Sequence, residues 1–548
     1  MTQDAIVGSL LSPRLGERAL RRLVYASPAY ALTLGRRVPS EVLGTPPDPW
    51  PGDPARAEAI VEGEFALAGR RMPFGPGQWP NPSLNPLVAA AIHGFDWLRD
   101  MRALGTDAAR ERARLLVGDW LKVHDRWGAI TWRADVLGDR VANWLAHYAF
   151  LAGADEEFGT ALRRGAARQL KHLARAATAG PQGAAQFVVV KGLIFGGVAL
   201  PGFEAVLARG LALLEREIAR QVLPDGGHYQ RHPGFQLEVM RTLIDIEGAL
   251  AAAHIEPPPE LRHAIDRMAP MVRCLRHGDG RFPLFNGATE SDDVQIALVL
   301  ARSGTRGRAL SAAPHSGFHR LAVGRTVILM DAGAPPPAEA DEHAHAGTLS
   351  FELSVGRDRV IVNCGSQPVA TGEWRDALRA TAAHSTLVVD DSNSAEVLAA
   401  GGLGQRPVVV EVSRREVDGC LLIEASHDGY RKALGLIHRR SLYLASDGSD
   451  VRGEDILEGT GGQSVAVRFH LHPRVQASPI EGGSAVLLKL PSGQGFRFRA
   501  AGGTIGIEDS VYAGDPAGVK RSVQIVVSAR LEGAGAQIKW RLAREGRT

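Results

Sequence analysis

Histidines in two short segments of the second half of the chain are the residues best suited to chemistry. His343 and His345 are separated by one residue, so on an extended chain they point to the same face of a sheet, which suits metal ligation or paired acid–base catalysis. Farther along, Asn363 ends one apolar run and His384 precedes another, Thr386–Val389. If these runs are neighbouring strands, His345, Asn363 and His384 converge as ligands. The alternative is that such histidines at strand edges only form hydrogen bonds with loops.

A second group of titratable residues follows an Asp-Gly-Gly turn in the first half of the chain. His228, Tyr229, Arg231 and His232 are close together in sequence. A phenol and two imidazoles can take up or release a proton, and an arginine can neutralise a carboxylate. So many polar groups in one loop are more typical of a functional loop than of a core. We therefore interpret this loop as a second candidate catalytic segment.

Aromatic and basic residues of an earlier segment could line a groove. Trp132, Arg140 and Trp144 lie in or beside one helical pattern. Tryptophan faces can stack on sugar rings, and an arginine can pair with an acidic sugar. The alternative for the tryptophans is ordinary helix packing.

The spacing of apolar residues changes along the chain and predicts a helical part followed by a part made of strands. The elements of these two parts must position the candidate residues. From about residue 85 to 303, apolar residues recur three and four apart, which predicts successive helices joined by short Gly- and Pro-containing breaks. After Pro314, short runs rich in Val and Ile alternate with turns, which predicts antiparallel strands stacked as a sandwich. The predicted domains are an N-terminal arm with the first helices (1–84), a helical domain (85–310) and a β domain (315–548).

Composition excludes several classes of function. The 63 basic and 60 acidic residues give a net charge of +3 without basic runs, which argues against nucleic-acid binding. The three cysteines form no CxxC pair, which argues against a disulfide framework or a cysteine-ligated zinc site. The longest apolar segment, 187–200, is too short to cross a bilayer as a helix and contains Lys191, so no transmembrane segment is predicted. No oligomeric state follows from the residues.

The order and spacing of these segments resemble a known family. His343–Leu353 is similar to the HGHADALSFEL signature of the heparinase II/III C-terminal domain, and Arg359–Gly365 is similar to its LLVDPG segment. Trp374–Asp390 resembles its WRxxFRSTxAHNTVxVDG run, and Asp225–Gln236 resembles its DGGHYERSPxYH segment. The order of a helical half before a β half is also that of the family.

The resemblance implies an N-terminal incomplete (α/α) toroid followed by a C-terminal antiparallel β-sandwich. It also implies cleavage of uronate-containing polysaccharide by β-elimination. In that reaction the carboxylate is neutralised, a base removes the C5 proton and an acid protonates the departing O4. The residues assigned to catalysis are His343, Tyr229, His228 and His232. Those assigned to substrate binding are Arg231, Arg140, Trp132, Trp144, Arg375 and Arg379. Those that match the ligands of a structural zinc are His345, Asn363 and His384. No organic cofactor is expected.

Several positions depart from the family pattern. Asn363 stands where an aspartate is usual, Phe235 where the pattern has the acid–base tyrosine, and Gln236 where a histidine follows. The Asn-His pair expected before Val188 is also missing. Besides an acidic-polysaccharide lyase, the sequence is therefore compatible with a non-catalytic glycan-binding or cell-envelope polysaccharide biogenesis protein, or with a hydrolase that uses paired carboxylates.

The resemblance also implies a location in the cell envelope or periplasm. The N-terminal stretch Leu23–Leu34 contains Pro28 and lacks a small-residue cleavage site, so it is not a standard secretory signal. A cytoplasmic location is the alternative.

Overall fold

A computed structural model describes residues 13–35, 38–67, 70–79, 86–367, 371–531 and 535–546. The helices, numbered in chain order, are α1 Pro13–Ala26, α2 Pro28–Thr33, α3 Pro54–Glu62, α4 Pro86–Gly94, α5 Leu98–Leu104, α6 Asp107–Val123, α7 Ala134–Ala146, α8 Tyr148–Ala152, α9 Glu156–Ala176, α10 Ala184–Ala199, α11 Glu204–Gln221, α12 Pro233–Ala252, α13 Pro259–Cys274, α14 Asp293–Arg302, α15 Gly372–Arg379 and α16 Arg431–Leu434.

The strands, also in chain order, are β1 Glu64–Leu67, β2 Arg70–Pro73, β3 Ala312–Ala313, β4 Phe318–Val323, β5 Thr326–Asp331, β6 Phe351–Val355, β7 Asp358–Val362, β8 Leu387–Val389, β9 Val410–Val417, β10 Cys420–His427, β11 Ile437–Leu444, β12 Asp450–Glu458, β13 Ser464–Leu471, β14 Gln476–Ile480, β15 Ala485–Lys489, β16 Gly495–Ala501, β17 Thr504–Tyr512, β18 Lys520–Arg530 and β19 Gly535–Arg544. The switch from helices to strands falls where the change of periodicity predicts it.

Helix boundaries follow from polar caps and glycine stops. The side chains of Thr106, Asp155 and Asp292 accept hydrogen bonds from the first-turn amides of α6, α9 and α14. Each cap satisfies a backbone donor that has no partner within its helix. At its other end, α5 stops at Gly105, which takes the left-handed conformation (φ 69°) that glycine adopts at little cost.

The contacts divide the chain into two compact units, residues 1–217 with 242–262 and residues 218–241 with 263–548. In the first unit, α10 is apolar on nearly every side and packs on α7. A Cβ atom at Gly192 of α10 would lie 2.6 Å from the Cα of Gly138 in α7, so both positions need glycine for this close approach. The predicted domain boundaries at 84, 310 and 315 remain predictions, and residues 1–12, 80–85 and 547–548 lie outside the described residues.

The second unit contains two antiparallel sheets. One has the strand order β14-β15-β16-β19-β12-β11-β10-β9, and the other has the order β17-β18-β13-β7-β6-β5-β4-β3, with β8 paired to β13. Their inner faces share one hydrophobic core, in which Phe351 stacks on Trp540 at 5.5 Å between ring centroids and Phe469 meets both rings edge-on. The loops that follow β5 and β7 carry the two histidine segments, which meet at His345 and His384.

Candidate functional site

The loop between α11 and α12 is shaped by its Asp-Gly-Gly start. The carboxylate of Asp225 accepts hydrogen bonds from the amides of Gly227 (3.0 Å) and Ser316 (2.7 Å). A Cβ atom at Gly226 would lie 2.0 Å from the carbonyl oxygen of Arg267, and one at Gly227 would lie 2.4 Å from the Cβ of Ser316. The backbone therefore packs too closely at both positions for any residue other than glycine. These contacts fix the direction of the chain that follows the turn.

Arg231 attaches the loop between α11 and α12 to the first strands of the β region through an ion pair and hydrogen bonds. Its guanidinium forms an ion pair with Asp331 and donates to the carbonyl oxygens of Ser316 (2.7 Å) and Ala334 (2.8 Å). Asn286 donates to both the Arg231 carbonyl and the Asp331 carboxylate. Because Arg231 is buried and its donors are engaged, it holds the site together and has no free face for a uronate carboxylate.

His228, Tyr229 and Gln236 form the buried side of the loop. The Nε2 atom of His228 lies 2.9 Å from the side-chain oxygen of Gln221, and its amide donates to Gln236. Gln236 in turn donates to the Gly226 carbonyl, so the residue that replaces the family's histidine braces the loop. Tyr229 is 6% exposed and has the Arg220 guanidinium over its ring. These side chains support the site from behind and present little surface to a ligand.

His232, Phe235 and His343 form an accessible cluster, which we call the imidazole–phenyl face. The His232 ring stacks on Phe235 at 4.0 Å between centroids with an interplanar angle of 18°. His343 meets Phe235 edge-on at 5.2 Å, and the two imidazole centroids lie 6.2 Å apart. Among these residues His343 is exposed and the other two are half-buried. The structure therefore brings together the loop and the histidine that the sequence analysis paired.

The charges around His343 come from the segment that carries it and from α15. Partial desolvation of the His343 ring beside Phe235 and His232 lowers its pKa, Glu342 raises it, and the positive charges of Arg375 and Arg379 lower it. Burial likewise lowers the pKa of His232 to about 3. Both rings are thus held mainly in the neutral form near neutral pH, in which each offers one donor and one acceptor.

The predicted zinc ligands lie side by side but are already engaged. His384 donates from Nδ1 to the Ala380 carbonyl at 2.8 Å, so its Nε2 accepts the proton of His345 Nδ1 at 3.1 Å. The Asn363 amide is used at both ends: its oxygen accepts from the Ser385 amide (2.9 Å) and its nitrogen donates to Glu352 (3.2 Å). No group of three His, Cys, Asp or Glu suited to a metal ion occurs among the described residues. These three side chains, each engaged with protein groups, do not make up a zinc ligand set.

Arg379 is a positioning residue for the same segment. Its guanidinium donates to the carbonyl oxygens of Ala344 (3.1 Å), Leu398 (3.0 Å) and Gly402 (2.6 Å), and its side chain is buried. These bonds fix the backbone between the two histidines of the His343–His345 segment. Arg375, by contrast, is half-buried, and its Nη2 atom has no hydrogen-bond partner among the described residues.

The predicted sugar contacts of the helical half lie in the core of the first unit. Arg140 is fully buried, lies over the Trp120 ring at 4.1 Å and donates to the carbonyl oxygen of Thr131 at 2.6 Å. Trp144 is also fully buried, and Trp132 is 3% exposed and donates to the His124 carbonyl. None of the three has the exposed surface that stacking on a sugar or pairing with its carboxylate requires, so the candidate site does not include them.

Buried histidines make stability depend on pH, and His228 offers a test. Burial lowers its pKa to about 3 in the folded chain, whereas an unfolded histidine titrates near 6.5. Between these values the unfolded chain binds a proton that the folded chain refuses. The free energy of unfolding should therefore fall by about 1.4 kcal/mol per pH unit for each such histidine as pH drops below about 6.5.

The measurement is urea unfolding of wild type and His228→Gln at several pH values below neutrality. The variant should show a shallower loss of stability toward acid, by about one proton. His263→Gln, at an exposed position, serves as the control. Equal acid sensitivity of His228→Gln and wild type would show that the buried imidazole already binds its proton in the folded chain.

Comparisons with known proteins match both the helical part and the β part of this chain. A heparinase II/III-like C-terminal model matches residues 305–541, and a heparinase II/III N-terminus model matches residues 120–302. FtsZ-localized protein C of Caulobacter vibrioides is 32% identical over 544 residues, which cover 95% of this chain and 93% of that protein. Heparin-sulfate lyase of Pedobacter heparinus is 24% identical over 233 residues, 36% of this chain and 35% of that protein.

Solved structures extend the likeness to nearly the whole chain. A crystal structure of heparinase III matches with a TM-score of 0.75 at 13% identity, covering 98% of this chain and 93% of that one. Heparan sulfate lyase HepC of Pedobacter heparinus matches with a TM-score of 0.63 at 16% identity, covering 98% and 92%. These likenesses confirm the predicted helical part followed by antiparallel sheets. With the two matched regions and the relative that spans the chain, they show that this protein belongs to the heparinase II/III family.

Proposed function

We propose that this protein binds an acidic, uronate-containing glycan at the imidazole–phenyl face without cleaving it by the tyrosine-dependent elimination of its family. One observation carries the proposal. Phe235 occupies the position between His232 and His343 where the family pattern has a tyrosine, and its ring has no proton to give or take. Tyr229 is the phenol of the same loop, and it is buried. The site keeps a surface for a sugar and lacks the group that would transfer the proton.

Several features of the face suit a sugar. The half-buried ring of Phe235 offers an apolar surface for the C–H side of a pyranose, as aromatic rings do at binding sites. The neutral imidazoles of His232 and His343 can each donate and accept one hydrogen bond to hydroxyl groups. Neither the apolar contact nor these hydrogen bonds require a histidine to gain or lose a proton when the sugar binds.

Arg375 supports an acidic ligand. Its positive charge acts on His343, and its side chain is half-buried, with one guanidinium nitrogen, Nη2, buried without a hydrogen-bond partner among the described residues. A planar guanidinium matches a carboxylate or sulfate in both shape and charge. The buried Arg231 and Arg379 are committed to protein carbonyls and carboxylates, so Arg375 is the arginine of this group best placed to recognise an anion.

The test is calorimetric binding of saturated uronate oligosaccharides to wild type and two variants. Phe235→Ala removes the apolar surface, and Arg375→Gln removes the charge; each should weaken binding about tenfold or more, because each deletes an interaction of about 1.5–3 kcal/mol. Phe235→Tyr keeps the ring and should keep most of the affinity. The control is Arg357→Gln, at a guanidinium with 78% exposure. Failure of wild type to bind any uronate oligosaccharide, or unchanged binding by both variants, would refute the proposal.

Uronate lyase activity is the second candidate function, and the pair of imidazoles favours it. His232 and His343 share one accessible face at 6.2 Å between centroids, so one could act as base and the other as acid in elimination. Against this, the low pKa of His232 makes it a weak base. The relative that spans this chain, FtsZ-localized protein C, is named for its localisation with FtsZ, which is compatible with a binding role. We place that role in the cell envelope because of the family resemblance, with a cytoplasmic location as the alternative.

A further inference from the structure

The outermost strand of the eight-stranded sheet, β9, leaves one edge of that sheet open. It pairs with β10 on one side, in a continuous antiparallel register from Val410 to Val417, and no other described strand pairs with it. Sheet edges are usually protected by proline, by short strands or by bulges, and β14 at the opposite edge contains Pro479. β9 has eight residues, no proline and no bulge. It is therefore an edge that can accept another strand.

The segment that forms this edge exposes valines as well as charges. The exposed fractions are 78%, 50%, 38% and 63% for Val408, Val409, Val412 and Val417. Valine favours strands, and valines that face each other on paired strands stabilise a sheet. The strand is also held in place, because Arg414 donates to the carbonyl oxygens of Ser311 (2.6 Å) and Arg320 (2.8 Å).

The hydrogen bonds between β9 and β10 determine which backbone groups point to the open edge. The amide of Asp428 donates to the carbonyl oxygen of Val409 at 3.3 Å, so the odd-numbered residues of this segment bond to β10. The amides and carbonyls of the even-numbered residues point away from β10. These residues are Val410, Val412, Arg414 and Glu416. A strand that pairs at this edge must therefore form its hydrogen bonds with them.

The side chains of this segment identify a second copy of β9 as the strand that fits. In an antiparallel pair related by two-fold symmetry, the longest overlap that joins even-numbered residues places Ser413 opposite its own copy. Glu411 then lies opposite Arg415, and Val409 lies opposite Val417, each twice because of the symmetry. These side chains share one face of the sheet, since every second residue points to the same side. The strand is thus complementary to itself in both charge and apolar contact.

The two neighbouring registers that also join even-numbered residues fit less well. One places Arg414 opposite its own copy, so that like charges face each other. The other places Glu411 opposite Ser413 and loses the pairing of Glu411 with Arg415. Arg415 forms an ion pair with Glu424 of β10 and is 61% exposed, so its guanidinium can also meet a second carboxylate from the open side. The charges therefore favour one register.

We propose that two copies of this chain associate through β9, antiparallel and with Ser413 on the two-fold axis, so that their eight-stranded sheets become continuous. Val410 exchanges two backbone hydrogen bonds with the partner's Glu416, and Val412 exchanges two with the partner's Arg414. The interface shares no residue with the imidazole–phenyl face. The proposal therefore stands independently of glycan binding.

The experiment is sedimentation velocity of the full chain at several protein concentrations. Wild type should form a dimer whose fraction rises with concentration. Val412→Pro removes an amide that points to the open edge and that β10 does not use, so it should abolish the dimer while the urea midpoint of unfolding stays close to that of wild type.

Two charge reversals test the register itself. Glu411→Arg and Arg415→Glu each place like charges opposite one another in a homodimer, and each should raise the dissociation constant about tenfold. A mixture of the two variants brings opposite charges together at both pairs and should restore the dimer. The control is Lys539→Glu, a charge reversal at a side chain with 63% exposure on β19, an inner strand of the same sheet. It should dimerise like wild type.

Three outcomes would overturn the proposal. One is wild type that sediments as a monomer at every concentration while circular dichroism shows it folded. Another is a dimer that Val412→Pro leaves intact, because association would then use a different surface. The third is a mixture of the two charge-reversal variants, each folded, that dimerises no better than either variant alone.

Discussion

Replacing Asn363 with aspartate is expected to lower the free energy of unfolding by about 3–5 kcal/mol, the usual effect of an uncompensated buried charge. Asn363 and Glu352 are both fully buried, and the amide nitrogen of Asn363 donates to the Glu352 carboxylate at 3.2 Å. Aspartate has no proton to donate there and would set two carboxylates against each other. The measurement is chemical unfolding of wild type, Asn363→Asp and Asn363→Ala. The alanine variant gives the cost of losing the amide hydrogen bonds alone, about 1–3 kcal/mol.

Asn363→Asp also tests whether the absence of a carboxylate at position 363 is what leaves the zinc ligand set incomplete. If a carboxylate at position 363 completes a site with His345 and His384, zinc should raise the melting temperature of Asn363→Asp while leaving wild type unchanged. The bound cation would offset the repulsion between the two carboxylates. A zinc-dependent rise in the melting temperature of wild type, with stoichiometric zinc in the purified protein, would show instead that the asparagine is an adequate ligand.

Arg231→Ala is expected to cost a similar amount, about 3–5 kcal/mol, because it leaves the buried Asp331 carboxylate without its cation. Burial already raises the pKa of Asp331, so the variant should take up a proton at this carboxylate as it folds. The loss should therefore be smaller at acidic pH than at neutral pH. Arg357→Ala, at an exposed guanidinium, is the matched control and should change stability by less than about 0.5 kcal/mol.

Replacing both Arg231 and Asp331 separates the contribution of the ion pair to stability from that of the hydrogen bonds that the guanidinium donates to carbonyl oxygens. Arg231→Met with Asp331→Asn removes both charges, so it should be less destabilising than Arg231→Ala alone. If the double variant is no more stable than the single one, the carbonyl contacts of the guanidinium, and not its charge, account for the stabilisation.

The sequence predicts the order of the elements because periodicity is a local property. Spacings of three and four, then of two, suffice to separate helices from strands near residue 304. The pairing of His343 with the loop at 228–232 could also be predicted, since the resemblance fixes which residues share a site. Strand order could not, because it depends on contacts between residues far apart in the chain.

Burial is the property that the sequence predicts least well at this site. Trp132, Arg140 and Trp144 have the residue types of a sugar-binding groove, and only their tertiary neighbours show that they lie in a core. Arg231 is a similar case: an arginine beside histidines suggests an anion site, yet its partner Asp331 lies a hundred residues away. Asp331 itself ends an apolar strand, a weak signal that a charged side chain is held there for a reason.

Ultraviolet absorbance of unsaturated uronate ends distinguishes binding from cleavage. It is followed during long incubation of wild type with a panel of uronate polymers. Polymers shown to bind should produce no rise in absorbance, with or without added zinc, because Phe235 cannot transfer a proton. A steady rise that disappears in His343→Ala would contradict this expectation and show that the imidazoles alone carry out the elimination.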